Sequence, residues 1–296
     1  MNTEHPSPRY CGLDFWEPAD ILDAMIEGQF AAVAAVRAMR PAIERTALAI
    51  ATQLRESGRL VYAGAGTSGR LAIQDGAELI PSFNWPEDRL LFLMAGGREA
   101  LFRSTEGAED DVEHALRLVR EYDIGSHDVL IAVAASGSTP FTLACLRESR
   151  QRGALAVGIA NNAETPILTE ADHAIWLDTG AEPIAGSTRM NAGTAQRITL
   201  NLLSSLVMIL LGRVYQGLMV EAKAVNAKLL RRSESIVMRL TGYSREDARE
   251  ALKLGNGSIK IAVLLLKGCS LKDAMTILAE AGGQLRAALA RLGNAA

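Results

Sequence analysis

Residues 61–70 read V-Y-A-G-A-G-T-S-G-R, an apolar run entering a glycine turn with two adjacent hydroxyls before a helical pattern begins. That order allows little except a strand feeding a helix through a tight turn. Gly64, Gly66 and Gly69 have the G-x-G-x-x-G spacing, which lets backbone N–H groups and a helix N-terminus close on a phosphate. A dinucleotide fold would set an Asp or Glu at the tip of the next strand to hold a ribose. Here the next apolar run, Leu90 to Ala95, ends in Gly96 and Gly97. Instead of that acid the loop offers, next to Gly66, the hydroxyls of Thr67 and Ser68, which suit the free oxygens of a terminal phosphomonoester. The segment therefore reads as a sugar-phosphate site.

Five short apolar runs recur along the chain: Arg59 to Ala63, Leu90 to Ala95, Val129 to Ala134, Leu155 to Ala160 and His173 to Leu177. Segments of helical spacing lie between them, including Ala100, Ala108, Ala115, Leu116 and Val119. Alternation of this kind predicts an α/β fold, a five-stranded parallel sheet covered by helices on both faces, with ligands at the carboxyl ends of its strands. Pro18 to Glu56 reads as two helices broken at Pro41, and Thr188 to Gly212 and Leu218 to Arg232 as long helices. From Ser233 onward short helices are announced by Ser244, Ser258 and Ser270 in N-cap positions. The expected organisation is residues 1–56 as N-terminal helices packing on the next domain, 57–232 as the sugar-phosphate domain, and 233–296 as a C-terminal helical module. T-G-Y-S-R-E-D-A-R-E-A-L and A-G-G-Q-L-R-A-A-L in that module resemble the first and last helices of ubiquitin-associated-like modules.

Composition removes several function classes. A net charge of −3 with no basic block gives no nucleic-acid face. Cys11, Cys145 and Cys269 are odd in number and far apart, so they suggest neither a disulfide framework nor a zinc site, and a reducing cytoplasm is expected. The N-terminus lacks the layout of an export signal, and the most apolar stretch, Leu200 to Leu211, is too short to span a bilayer. No membrane association is expected.

Ala134 to Pro140 is a second hydroxyl loop, in which Ser136, Gly137, Ser138 and Thr139 precede a helix opened by proline. Either loop alone is equally a helix cap, but two after separate strands of one sheet would face the same edge. Glu182 to Thr194 is a third polar loop. In it Ser187 or Thr188 is a natural N-cap, and Arg189 is either solvated or a substrate clamp. Glu78 and Glu109 are the carboxylates of interest for proton transfer. Each also has an ordinary explanation: Glu78 as a solvated residue near a helix end stopped by Pro81, and Glu109 as an acid favouring a helix N-terminus with Asp110 and Asp111. An unbroken helix from Ser68 would set Glu78 about 15 Å away, so a break at Gly76 is one way to bring it to the site.

G-A-G-T-S-G-R-L, the acid of D-G-A-E, M-A-G-G, E-G-A-E-D-D, A-A-S-G-S-T-P-F and G-S-T-R-M-N-A-G-T-A-Q-R-I-T-L-N-L-L-S-S occur in an order that resembles the N-acetylmuramic acid 6-phosphate etherase family from Thr3 to about Leu289. The resemblance implies the sugar isomerase (SIS) fold and a homodimer with its active site near the subunit interface. It also implies cleavage of a lactyl ether by elimination and water addition without metal or organic cofactor, with Glu78 as acid/base and Glu109 as the second glutamate. Four segments depart from the family pattern. D-A-S-E-C-P-P becomes Asp75 to Pro81 with Gly76, Ala77, Leu79 and Ile80; S-G-R-T-P has Ser138 for arginine; R-M-K-A-G-T has Asn191 for lysine; and I-N-x-x-D becomes Met25 to Gln29. Two cations are thereby lost, a pattern expected of a less anionic ligand. Two other readings share the architecture: a sugar-phosphate aldose–ketose isomerase, and a non-catalytic sugar-phosphate-binding regulator resembling the glucokinase regulatory protein.

Overall fold

A computed structural model describes residues 2–55, 57–221 and 227–293. Contacts group residues 1–77 with 87–206 as one unit and 78–86 with 207–296 as another. In the first unit, α1 (Pro18–Ala38) and α2 (Arg40–Gln53) come first, and Pro41 sits in the opening turn of α2, where its missing N–H costs nothing. Then β1 (Leu60–Gly64), α3 (Gly66–Phe83), β2 (Leu90–Met94), α4 (Val112–Glu121), β3 (Val129–Val133), α5 (Pro140–Gln151), β4 (Leu155–Ala160), α6 (Pro166–Glu170), β5 (His173–Trp176) and α7 (Asn191–Leu210) follow, the ends of α3 from Glu78 and of α7 from Val207 grouping with the second unit. The strands pair in parallel in the order β2-β1-β3-β4-β5. Every residue of β1 and β3 is buried, as central strands covered on both faces require.

One face of the sheet packs Val61, Leu130 and Ala132 against Val119 of α4, Phe141 and Leu146 of α5 and Ile167 of α6. Complete burial of a side chain such as Phe141 or Leu146 contributes roughly 1.5–3 kcal/mol. The expected helical stretch beginning at Ala100 is shorter than its spacing suggested. Ala100 and Ala108 lie in separate 3-10 turns, Gly97–Leu101 and Ala108–Asp110, because Gly96, Gly97 and Gly107 all have positive φ and interrupt an α-helical path.

In the second unit a hairpin, β6 (Val214–Tyr215) with β7 (Leu218–Met219), precedes α8 (Ala227–Thr241), α9 (Arg245–Leu254), α10 (Ile259–Leu266), α11 (Leu271–Glu280) and α12 (Leu285–Gly293). The helix expected over Leu218 to Arg232 is corrected at its start: Gln216 and Gly217, both at positive φ, turn the chain back so that Leu218 and Met219 form a strand, residues 222–226 lie outside the described residues, and Ala227–Thr241 is helical. The three serine caps are present. Ser244, Ser258 and Ser270 accept from the N–H groups of Asp247, Ile261 and Asp273, and Ser244 with Asp247 completes a reciprocal capping box. Val237, Ile259, Val263, Leu264 and Ala288 fill this core. Buried Lys260 is satisfied by the Gly283 carbonyl and by an ion pair with Glu221.

At the amino edge of the sheet, Arg59 and Asp128 clamp the starts of β1 and β3. Arg59 Nε donates to Asp128 Oδ1 at 2.9 Å and Nη2 to Oδ2 at 2.7 Å, and the backbone N–H groups of Arg59 and Gly125 add two more bonds. Burial pushes the Asp128 carboxyl up, but the guanidinium and these N–H groups outweigh it and hold the group below the usual carboxylate range. The Asp128 charge therefore adds stability that is fully present above the unfolded carboxyl pKa of about 3.9 and is lost as pH falls through the lower folded value. Asp128→Asn should cost about 3 kcal/mol at pH 7, and the gap between variant and parent in urea melts should narrow below about pH 4.

Candidate active site

The opposite, carboxyl edge carries the loops singled out in the sequence. At the end of β1 the strand and the first turn of α3 come close enough that a Cβ on Gly64 would lie 2.8 Å from Gly69 Cα. A Cβ on Gly69 would lie 2.5 Å from Met94 Sδ, and Gly66 has φ +52°. The glycines serve this approach. The first-turn N–H groups of α3 have no intrahelical acceptors, and beside them stand the hydroxyls of Thr67 and of buried Ser68.

A cleft of about 340 Å³ opens there, with Gly66, Thr67 and Arg70 on one side and Arg103, Glu106 and Glu109 on the other. Glu109 is exposed in its 3-10 turn, while the cap of α4 is Asp111, which accepts from the His114 N–H at 2.9 Å. Asp111 is thus the cap of α4, and Glu109, two residues before it, also lines the cleft with Thr67. Sequence reasoning missed Arg70 and Arg103. Arg70 is in the quoted glycine segment, but its bonds to the Ala100 and Arg103 carbonyls join parts of the chain that no local pattern connects.

The second loop leaves β3, the neighbour of β1 in the sheet, at the level where Gly64 pairs with Val133. Ser136 Oγ accepts from the Ser138 N–H at 3.2 Å and lies 3.2 Å from Thr139 Oγ1. Gly137 has φ +72°, its carbonyl accepts from the Ile167 N–H at 3.0 Å, and a Cβ on it would collide with Thr165 Oγ1 at 2.0 Å. This loop is held by its own hydrogen bonds, and its residues are not among those lining the cleft beside α3.

The third loop corrects an expectation. Neither Ser187 nor Thr188 caps α7; Glu182 does, its buried carboxylate accepting from the N–H groups of Asn191 at 2.8 Å and Ala192 at 2.9 Å. Burial raises the Glu182 pKa against those two bonds, which lower it. Ser187 and Thr188 instead lie in the turns before α7, and Arg189 is exposed. Thr3 anchors the loop from a distance: its carbonyl accepts from Gly186, and its hydroxyl accepts from Asn162, which also donates to Ala135 beside the second loop.

Two of the departures from the family pattern meet in space. Gln29 Nε2 of α1 donates to Asn191 Oδ1 at 3.0 Å, and Thr194 Oγ1 donates to Gln29 Oε1. Gly28 makes room for them, since a Cβ there would lie 2.6 Å from Asn191 Oδ1. The acid and base of the family pattern at these positions are replaced together by two amides, leaving the local charge sum unchanged. Asn191 is therefore no longer a sign of a less anionic ligand.

Glu78 stands apart. α3 is unbroken through Gly76 and continues past Pro81 to Phe83, so neither residue ends it. Gly76 instead admits aromatic rings: a Cβ on it would meet Phe92 at 2.6 Å and Tyr62 at 2.9 Å. Exposed Glu78 is ten residues, about 15 Å, along the helix from Ser68. The buried acid of this helix is Asp75, which accepts from Tyr62 Oη at 3.0 Å and Ser204 Oγ at 3.2 Å and whose pKa burial raises.

The amide pair generates a coupling prediction. Gln29→Asp alone brings an unpaired charge toward the Glu182-capped start of α7 and should lower the melting temperature by several degrees, which Asn191→Lys added to it should largely restore. Equal and additive losses in a double-mutant cycle would show that the two positions do not act as a pair.

Known proteins similar to this chain identify its family. Residues 42–150 match the glucokinase regulatory protein N-terminal SIS domain, and residues 100–206 the SIS domain. The N-acetylmuramic acid 6-phosphate etherase of Deinococcus radiodurans is 46% identical over 288 residues, 97% of this chain and 94% of that protein. The etherase of Yersinia pestis (strain Pestoides F) is 43% identical over 256 residues, 86% and 87% of the two chains. A solved phosphoheptose isomerase from Francisella tularensis is a distant likeness, 16% identical with a TM-score of 0.47 over 66% of this chain and 98% of its own. With near full-length identity of this degree, the chain belongs to the N-acetylmuramic acid 6-phosphate etherase family.

Proposed function

We propose that this chain cleaves the D-lactyl ether of N-acetylmuramic acid 6-phosphate, giving N-acetylglucosamine 6-phosphate and D-lactate. The observation that carries the reading is the cleft in which Glu109 faces the phosphate-type loop of α3, in a chain of this family. In the ring-opened sugar the hydrogen on carbon 2 lies beside an aldehyde, so a carboxylate can remove it while the enolate spreads the charge. Lactate then leaves from carbon 3 and water adds there. The phosphate is held by the first-turn N–H groups of α3 with Thr67 and Ser68, and on this reading Ser136 to Thr139, Ser187 and Arg189 complete the sugar's surroundings. The setting is cytoplasmic, in peptidoglycan recycling, and no helix among the described residues is long and apolar enough to cross a membrane.

The chemistry is separable from its rivals by isotope. In deuterated, oxygen-18-enriched water the product should carry deuterium at carbon 2 and heavy oxygen at carbon 3, because the ether oxygen departs with lactate. Turned-over product unlabelled at carbon 2 would remove the carboxylate-driven elimination. An isomerase would exchange carbon 2 and release no lactate, and a regulator would bind the sugar phosphate and do neither.

On this reading the acid/base pair is Glu78 and Glu109, working in a homodimer. Glu78 is about 15 Å along α3 from Ser68, farther than a hexose phosphate spans, so a second copy supplies it to the cleft. Glu78→Gln and Glu109→Gln should each lower lactate release by 10² to 10⁴-fold. Co-expressing the two variants in equal amounts should return roughly a quarter of the parent activity, because half the dimers are mixed and each mixed dimer rebuilds one intact site of two. No recovery in verified mixed dimers would put both glutamates of a site in one copy.

A further inference from the structure

Charge in the cleft beside α3 is unevenly committed. Arg70 is consumed by the main chain, its Nε donating to the Ala100 carbonyl at 2.9 Å and its Nη2 to the Arg103 carbonyl at 3.2 Å. Those bonds also fix Arg103 from behind, and its own N–H donates to the Glu99 carbonyl at 3.1 Å. The Arg103 backbone is thus held in place while its exposed guanidinium has no hydrogen bond or ion pair within the described residues. The remaining charged groups of the lining, Glu106 and Glu109, are acids.

The proposed substrate brings two separate anionic centres to this place. Its phosphate, on carbon 6, is met by neutral donors, the N–H groups and hydroxyls at the start of α3. Its lactyl carboxylate, on carbon 3, lies toward the other side of the sugar, and beside two glutamates it is repelled unless a cation intervenes. A guanidinium presents a planar pair of N–H donors that fits a carboxylate in two parallel bonds. Arg103 supplies that fork on the wall facing Thr67.

We propose that Arg103 is the specificity-determining residue of the cleft, receiving the lactyl carboxylate and so distinguishing the lactyl sugar phosphate from its product. The inference rests on the etherase reading for the identity of the ligand. It assigns Arg103 no part in proton transfer. The product keeps the phosphate and loses the carboxylate, so Arg103 favours occupancy by substrate and lets product go.

Steady-state kinetics and competitive inhibition of the full-length dimer test it. Arg103→Gln should lower kcat/KM for N-acetylmuramic acid 6-phosphate by roughly tenfold or more, mostly through KM, while the inhibition constant of N-acetylglucosamine 6-phosphate changes by less than about twofold. The carboxamide analogue of the substrate should bind parent and variant alike, and Arg103→Lys should recover part of the loss. A loss shared equally by substrate and product, or no loss for either, overturns the assignment. If the parent releases no lactate, the etherase reading fails on its own; calorimetric affinities for the acid, its carboxamide and the product still decide whether Arg103 reads the carboxylate.

Discussion

The near contact of backbone with backbone where β1 meets α3 is the constraint on which the site depends. Gly64 and Gly69 approach so closely that a side-chain carbon on either would overlap its neighbour. Because strand and helix touch there, the first-turn N–H groups of α3 emerge at the carboxyl edge of the sheet, beside the cleft lined by Gly66 and Thr67. The parallel pairing of β1 with β3 then brings a second helix-opening loop out at the same level. At the other edge the Arg59–Asp128 clamp holds the starts of those two strands, so their register, and with it the relative height of the two loops, is fixed at both ends.

Much of this architecture was legible because it is local. A parallel strand buried on both faces must be continuously apolar, and each of the five runs became a strand within a residue or so of its expected ends. The serine caps were legible for the same reason, since a cap and the N–H it binds are three residues apart. Errors arose where a long-range partner overrode a local signal. Ser187 and Thr188 had the right residue types for a cap, but Glu182 brings a full charge to two N–H groups of α7 and displaces them. The hairpin before α8 was hidden because Leu218, Met219 and Val220 are as apolar as a helix face, while the turn is set by Gln216 and Gly217.

The site itself was only half legible. Thr67 and Ser68 are announced by the glycine spacing, whereas the cleft wall opposite them comes from residues that sit in irregular 3-10 turns. Irregular segments have no period from which to read a direction. Glu109 could be named but not oriented, and Arg103 has no sequence pattern at all. The exchange at positions 29 and 191 shows a related limit: each looks like a lost charge when read alone, and the contact between them is what makes the two losses one event.

The distribution of charge suggests how such a site can bind a polyanion and still release one. Helix N–H groups and hydroxyls carry no net charge, so they fix a phosphate by direction and impose little long-range attraction. A cation of full charge acts over a longer range and is better placed where binding must discriminate. Charge is accordingly spent on structure: buried Glu182 on α7, buried Asp128 on Arg59, and half-buried Arg70 on two carbonyls. Among the described residues lining the cleft, Arg103 stands with Glu106 and Glu109, and on the proposed reading its guanidinium favours a ligand with a carboxylate at that point and loosens its hold once the carboxylate has departed. Binding strength and product release then draw on different atoms of the same sugar, so strengthening one does not have to slow the other.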